Sequence, residues 1–151
     1  MVQWINNKDL AISFTAEPLI GIRYILPSMS DEEKRSVKKY PFINKTSVSV
    51  KIHDKKTDKY FSFCIPKGYC FDGASVPRFF WRIIGSNTDN KFLVAALVHD
   101  YMCENHNCID SDRTLSTRIF DSLLKVSQVG GLKRFFMKNS VDIFQKLFCE
   151  W

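Results

Sequence analysis

A histidine–aspartate pair interrupts the most apolar stretch of the chain. Residues 92–98 read Phe-Leu-Val-Ala-Ala-Leu-Val, and His99 and Asp100 follow directly. Burying an unpaired carboxylate is costly, so an Asp at this place indicates a hydrogen-bonding partner or a bound metal. Neighbouring side chains on a helix diverge by about 100°. The pair therefore suits a histidine that activates water beside a carboxylate that holds a divalent cation.

A loop of small residues precedes this helix. It consists of Asp72, Gly73, Ala74 and Ser75. Small residues let the backbone approach a ligand closely, and loop carbonyls and amides can bind a cation or an anion. The alternative is a folding element, in which Asp72 caps a strand-to-helix turn. In that case His99 bonds a backbone carbonyl, and Asp100 bonds a loop amide or an arginine such as Arg78 or Arg82.

Two other arrangements of reactive residues lack the spacing of known sites. Soft metal ligands occur at Cys103, His106 and Cys108, with His53 as a fourth, but paired Cys-x-x-Cys and His-x-x-x-His arms are missing. Ser75 as a nucleophile served by His99 lacks the second glycine of the Gly-x-Ser-x-Gly turn. Calcium is accordingly favoured over zinc as the divalent cation.

The pattern of the chain predicts strands first and helices after them, and these elements would position the residues named above. Apolar residues alternate with polar ones on either side of a turn-like segment 54–58: Val48, Val50 and Ile52, then Phe61, Phe63 and Ile65. This pattern predicts a β-hairpin within 46–71. Helices are predicted at 28–39, 75–84, 91–105, from about 111 and from about 132. The fold class is α+β, a single domain over 1–151 with irregular or edge elements in 1–45 and a loop plus three to four C-terminal helices in 72–151.

Net charge and cysteine content indicate the environment in which this chemistry would take place. The net charge is +6, which serves solubility or attracts nucleic acid, anionic lipid or a phosphorylated ligand, although no nucleic-acid motif accompanies it. Five cysteines without a signal peptide predict free thiols in a reducing cytosol. No stretch is long and apolar enough to predict a transmembrane segment.

Two blocks of sequence resemble the domain-of-unknown-function 1353 family. They are residues 65–77 with Phe80-Trp81-Arg82, and residues 95–101, within a region of about 46–125. The resemblance implies a phage or prophage setting and no particular activity. In that setting the protein would lie in the cytosol of a host bacterium or be virion-associated. The chain departs from the family at Cys103, where an aromatic is usual, and near Thr117, where an Asp is common. An orienting carboxylate for His99 would come from Asp110, Asp112 or Asp121.

The loop and the His-Asp helix are also similar, locally, to microbial phospholipase A2. That resemblance implies His99 as general base, Asp100 as calcium ligand, and the backbone of 72–75 as the rest of the calcium site, with Tyr101 nearby. The cysteine that precedes the His in those enzymes is absent, since Leu97 and Val98 stand there.

Three hypotheses follow. The first is a phage-type, metal-assisted hydrolase of esters or phosphoesters, which requires a cleft that exposes His99. The second is a non-enzymatic virion, tail-associated or host-takeover protein, with phage or host proteins as partners, in which the motif is a buried folding element. The third is an inhibitor that sequesters a host nucleotide, or another phosphorylated or anionic ligand, or that blocks a host defence protein through its basic face. It requires a basic pocket without catalytic geometry.

Overall fold

The computed structural model describes residues 1–73, 90–109, 111–126 and 131–148. Its strands are β1 (Val2–Asn6), β2 (Leu10–Phe14), β3 (Ile20–Ile22), β4 (Phe42–Asn44), β5 (Val48–Asp54), β6 (Lys59–Ile65) and β7 (Cys70–Phe71). Its helices are α1 (Asp31–Lys39), α2 (Asn90–Glu104), α3 (Arg113–Val126) and α4 (Gly131–Phe148).

The strands form two antiparallel sheets. One has the order β1-β2-β5-β6 and the other the order β3-β4-β7. In the four-stranded sheet Ile12 pairs with Ile52, and Ile52 pairs with Phe61, so one face is apolar. Because side chains alternate along a strand, the opposite face carries the polar residues. The apolar face belongs to a core that it shares with α2 and α3.

Helix α1 begins at a cap that its own sequence supplies. Ser30 accepts a hydrogen bond from the Glu33 amide, and the Glu33 carboxylate accepts one from the Ser30 amide at 2.6 Å. This reciprocal cap satisfies two amides that a helix start leaves without partners. Only Val37 of this helix is buried, so α1 lies on the surface, as predicted for 28–39.

The C-terminal helices supply the other half of the core. Residues 93–98 of α2 are all buried, as expected for a helix that is apolar all round. Helix α3 packs against both α2 and α4 and contacts β1. No helix among the described residues is long and apolar enough to cross a bilayer. The predicted α+β order, with a hairpin followed by helices, is confirmed.

The N-terminal 45 residues differ from their prediction. They contain the β1–β2 hairpin, and β2 lies inside the sheet between β1 and β5 rather than at an edge. The alternation Leu10, Ile12, Phe14 is only five residues long, which makes it a short signal. Strand β3 is only three residues long, and just beyond it the Arg23 side chain donates a hydrogen bond to the Tyr40 carbonyl at 3.0 Å. The predicted helix at 75–84 lies outside the described residues.

Candidate functional site

His99 lies in the core at the C-terminal half of α2. Its side chain has no solvent exposure, and its ring lies 5.1 Å from that of Phe120 on α3. The Cys103 sulfur is 3.6 Å from Nε2 and 3.8 Å from Nδ1 of His99. The N–H bonds of the two ring nitrogens point in different directions. A sulfur that is nearly equidistant from both nitrogens is therefore in line with neither N–H bond. Cys103 therefore covers the flank of the ring and is not placed as a thiol that His99 activates in line.

Asp100 approaches His99 instead of diverging from it. Its Oδ1 lies 3.6 Å from Nδ1 of His99, and the residue is 7% exposed. This separation exceeds a normal hydrogen bond but keeps the carboxylate within electrostatic reach of the imidazole. Both residues make further interactions with their surroundings. The pair is thus a buried polar centre in an otherwise apolar helix.

Aromatic side chains join this end of α2 to the sheets. Tyr101 stacks on Phe63 of β6 at 5.6 Å and meets Tyr69 edge-on at 5.1 Å. Tyr69 also donates a hydrogen bond to Glu104 at 2.9 Å. Burial, followed by the nearby charges of Asp100 and Glu104, raises the pKa of Tyr69 well above its usual range. The phenol is therefore a neutral hydrogen-bond donor beside two carboxylates.

Strand β7 carries the chain from Tyr69 into the small-residue loop. Phe71 of β7 packs on Phe42 at 5.7 Å between ring centres. Gly73 has a φ of +90°, and a β-carbon there would overlap the Phe42 ring. The loop thus starts with a glycine that its conformation and its close packing both require. Asp72 is half-buried and has interaction partners of its own.

The structure brings together part of the predicted site. Asp100 and Tyr101 lie next to Tyr69, three residues before Asp72, so the start of the loop and the His-Asp helix are neighbours. Four predicted members lie outside the described residues, namely Ala74, Ser75, Arg78 and Arg82. Sequence reasoning missed Tyr69, Phe63 and Phe120, whose aromatic character was the only signal.

Comparisons with known proteins bear on this site, because the loop and the His-Asp helix fall inside the matching region. The family model "Protein of unknown function (DUF1353)" matches residues 47–141, which is more than half of the chain. The chain belongs to this family. The predicted domain-of-unknown-function 1353 membership is thereby confirmed.

One relative extends the comparison. The "Uncharacterized protein y4jT" of Sinorhizobium fredii (strain NBRC 101917 / NGR234) is 48% identical over 40 residues, which are 26% of this chain and 12% of the relative. The chain therefore covers about an eighth of that relative's length. No solved structure matches this chain.

Near the position where the family resemblance led us to expect an Asp, this chain has Thr117, which follows Ser116 on α3. Ser116 and Thr117 are buried one turn before Phe120, the ring neighbour of His99, and Thr117 Oγ1 donates to the Arg113 carbonyl at 3.0 Å. The carboxylates predicted as substitutes are engaged elsewhere: Asp112 caps α3 through the Leu115 amide at 2.7 Å, and Asp121 pairs with Arg134 at 3.2 Å. Asp110 lies outside the described residues.

The soft-ligand arrangement is not assembled. His53 lies on the polar face of the four-stranded sheet, stacked on Tyr60 at 3.8 Å, whereas His106 Nδ1 contacts the Cys103 carbonyl at 2.9 Å. In the described part of the chain, no three or more His, Cys, Asp or Glu side chains are grouped to hold a metal ion. The four described cysteines are free thiols, as predicted: Cys64, Cys70, Cys103 and Cys108.

Proposed function

We propose that this member of the 1353 family is a non-enzymatic binding protein of a phage or prophage, acting as a virion-associated, tail-associated or host-takeover component. In this proposal the His-Asp motif is a folding element. The observation that carries it is the burial of His99, whose side chain has no solvent exposure. A general base must reach a substrate or a water that exchanges with solvent, and a fully covered ring favours an internal role.

The contacts around the motif support an internal role. The His99 ring contacts Phe120 of α3 and the Cys103 sulfur, which lies one turn further along α2. On the side of the sheets, Tyr101 and Glu104 contact Tyr69, the residue that enters β7. One stretch of α2 thereby contacts both α3 and the residue that leads into the three-stranded sheet. Buried polar groups of this kind specify one arrangement of packed elements when all of them have partners.

The test compares stability with metal binding. Unfolding by urea is measured for wild type, His99→Ala and Asp100→Asn after metal is stripped, with and without calcium. A folding element predicts that both variants lose about 1–3 kcal/mol or more of the free energy of unfolding, and that calcium leaves the wild type unchanged. Calcium-dependent stabilisation of the wild type that Asp100→Asn abolishes would overturn this proposal.

A metal-assisted hydrolase is the second candidate, and the placement of Asp100 favours it. This carboxylate is 3.6 Å from the His99 imidazole, retains 7% exposure, and lies beside the strand that leads to Asp72. His99 would activate a water, while Asp100 and the backbone of residues 72–75 would hold calcium in preference to zinc. The substrate would be an ester or a phosphoester.

Calorimetry separates the two candidates directly. Calcium, magnesium, manganese and zinc are titrated into stripped wild type and Asp100→Asn. Binding of calcium by the wild type alone, followed by hydrolysis of an ester or phosphoester that His99→Ala loses, supports the hydrolase. If none of the metals binds, or if the variant binds as the wild type does, the metal-assisted mechanism is wrong.

A further inference from the structure

The polar side of the four-stranded sheet carries two adjacent rows of side chains. We call it the outer face, defined by the solvent-facing residues of β2, β5 and β6. One row is Ser13–Lys51–Ser62 and the next is Ala11–His53–Tyr60, each set by direct cross-strand pairing. The rows are two residues apart along each strand, which separates them by about 6.6 Å. Together they line an open groove of about 350 Å³.

The second row forms an aromatic wall. His53 and Tyr60 stack at 3.8 Å with an angle of 12° between their planes, and His53 Nε2 lies 3.0 Å from the Asp58 carboxylate. Tyr60 nevertheless remains 72% exposed, so most of its side chain is open to solvent. Ala11 at the far end of the row is too small to fill the space. A flat ring could therefore stack on Tyr60, whose orientation is already fixed by its contact with His53.

The first row carries a positive charge between two hydroxyls. Lys51 is exposed, and Ser13 and Ser62 are its direct cross-strand neighbours, which places β-carbons about 4.5–5.5 Å apart. Among the described residues, no carboxylate lies within ion-pair distance of Lys51. An ammonium flanked by hydroxyls is complementary in charge and in hydrogen bonding to a phosphate.

We propose that the outer face binds a nucleotide unit, with its base stacked on Tyr60 and its phosphate on the Ser13–Lys51–Ser62 row. The two rows are close enough for one ligand to place its base on Tyr60 and its phosphate beside Lys51. Asp58 sets the direction, since its carboxylate at the His53 end repels a phosphate and can accept hydrogen bonds from a base amino group. The net charge of +6 favours the approach of such an anion.

The groove has the features of a binding site. Exposed aromatics that stack bases beside a basic surface are the common means of holding single strands. Site volumes for small ligands begin at roughly 300 Å³, so one nucleotide unit is an appropriate occupant. The unit could come from a free nucleotide or from single-stranded nucleic acid. This inference uses neither His99 nor Asp100, and it stands apart from the proposed function.

The test measures binding of four small probes to the full chain by calorimetry: adenosine monophosphate, adenosine, ribose 5-phosphate and inorganic phosphate. A short single-stranded oligonucleotide is titrated over a range of salt concentrations. Tyr60→Ala and Lys51→Gln are compared with Tyr24→Ala and Lys67→Gln. Tyr24 is a matched control, because it is 71% exposed outside this groove.

We expect adenosine monophosphate to bind at least about tenfold more tightly than adenosine or ribose 5-phosphate. Tyr60→Ala should weaken binding about tenfold or more, while Tyr24→Ala leaves it unchanged. Lys51→Gln should also lower the slope of log affinity against log salt for the oligonucleotide by about one. Tighter binding of the oligonucleotide than of the mononucleotide identifies a single strand as the source.

Three results would overturn the inference. One is that neither the mononucleotide nor the oligonucleotide binds. Another is that inorganic phosphate binds as tightly as the mononucleotide, because the base then contributes nothing. The third is that Tyr24→Ala and Lys67→Gln weaken binding as much as the changes in the groove, which would mean that any exposed tyrosine or lysine serves equally.

Discussion

Tyr69 donates a hydrogen bond of 2.9 Å to Glu104, and this bond joins the residue before β7 to the last turn of α2. The Tyr69 ring also meets the Tyr101 ring edge-on at 5.1 Å. The start of the small-residue loop is thereby held against the helix that carries His99 and Asp100. The relative position of the small-residue loop and the His-Asp helix therefore depends on this contact.

Replacing Tyr69 with phenylalanine removes the hydrogen bond and keeps the ring packing. We expect a loss of about 1 kcal/mol in the free energy of unfolding at pH 7, measured by urea denaturation. Glu104→Gln serves as the partner change, and the double variant should lose less than the sum of the two single losses. Strict additivity would show that the contact contributes nothing.

The same variant has a signature at alkaline pH. Burial and the charges of Asp100 and Glu104 raise the pKa of Tyr69 above its ordinary value of about 10. An acid whose pKa is raised on folding contributes stability that is complete below the unfolded pKa and is lost as pH rises above it. Stability should therefore fall less steeply above pH 10 in Tyr69→Phe than in wild type. Equal slopes would contradict this assignment.

Two glycines allow the packing at the loop to be separated from backbone conformation. Gly68 and Gly73 have φ angles of +92° and +90°, but only at Gly73 would a β-carbon overlap a side chain, that of Phe42. Gly68→Ala should cost about 1–2 kcal/mol of stability for its conformation alone. Gly73→Ala should cost about 1–3 kcal/mol more, since it also overpacks a buried ring.

Thermal or urea denaturation of both glycine variants measures this difference. Combining Gly73→Ala with Phe42→Leu should cost less than the two changes do separately, because the smaller side chain relieves the overlap. Equal losses of stability for the two glycine variants would mean that the Phe42 ring moves aside without a loss of stability.

The sequence predicted the parts of this structure in which the pattern is long. The α2 stretch and the β5–β6 hairpin were predicted because apolar residues there persist or alternate over seven residues or more. Strands β1, β2 and β4 were not, since each is only three to five residues long and β2 is held by pairing with β5, far along the chain. Such pairing leaves no local signal.

The candidate site was predicted in composition but not in geometry. His99 and Asp100 stood out because they break an apolar run. Their approach to 3.6 Å depends on the rotamers of the two side chains, and the packing of His99 against Phe120 depends on how α3 lies beside α2. The aromatic link through Tyr69 likewise joins residues more than 30 positions apart. Contacts of this kind follow from tertiary packing, which a single sequence does not display.

The four described thiols should react in an order that follows their exposure. Cys64 and Cys108 are exposed, whereas Cys70 and Cys103 are half-buried, and Cys103 also contacts the His99 ring. Alkylation under native conditions, mapped by mass spectrometry of peptides, should therefore modify Cys64 and Cys108 first. Complete denaturation should remove the difference. Preferential modification of Cys103 would instead reveal an activated thiol beside His99.

The buried carboxylate of Asp54 should make stability depend on acid. Asp54 is 2% exposed and accepts hydrogen bonds from Arg118 of α3 at 3.2 Å, from Thr57 at 2.8 Å and from the Lys56 amide at 3.2 Å. Burial alone would raise its pKa, but the bonds from Arg118, Thr57 and Lys56 outweigh it and lower the pKa. A carboxylate with a lowered pKa contributes stability that is present above its unfolded pKa and is lost as pH falls through the folded one.

Asp54→Asn should therefore lower the free energy of unfolding by about 1.5–3 kcal/mol at pH 7, and the difference from wild type should shrink below about pH 4. Urea denaturation at pH 7 and near pH 3 measures both values. Asp58→Asn, in the same hairpin at an 83% exposed position, is the control and should change stability by less than about 0.5 kcal/mol. A loss for Asp54→Asn that stays constant with pH would show that its shape, and not its charge, ties β5 to α3.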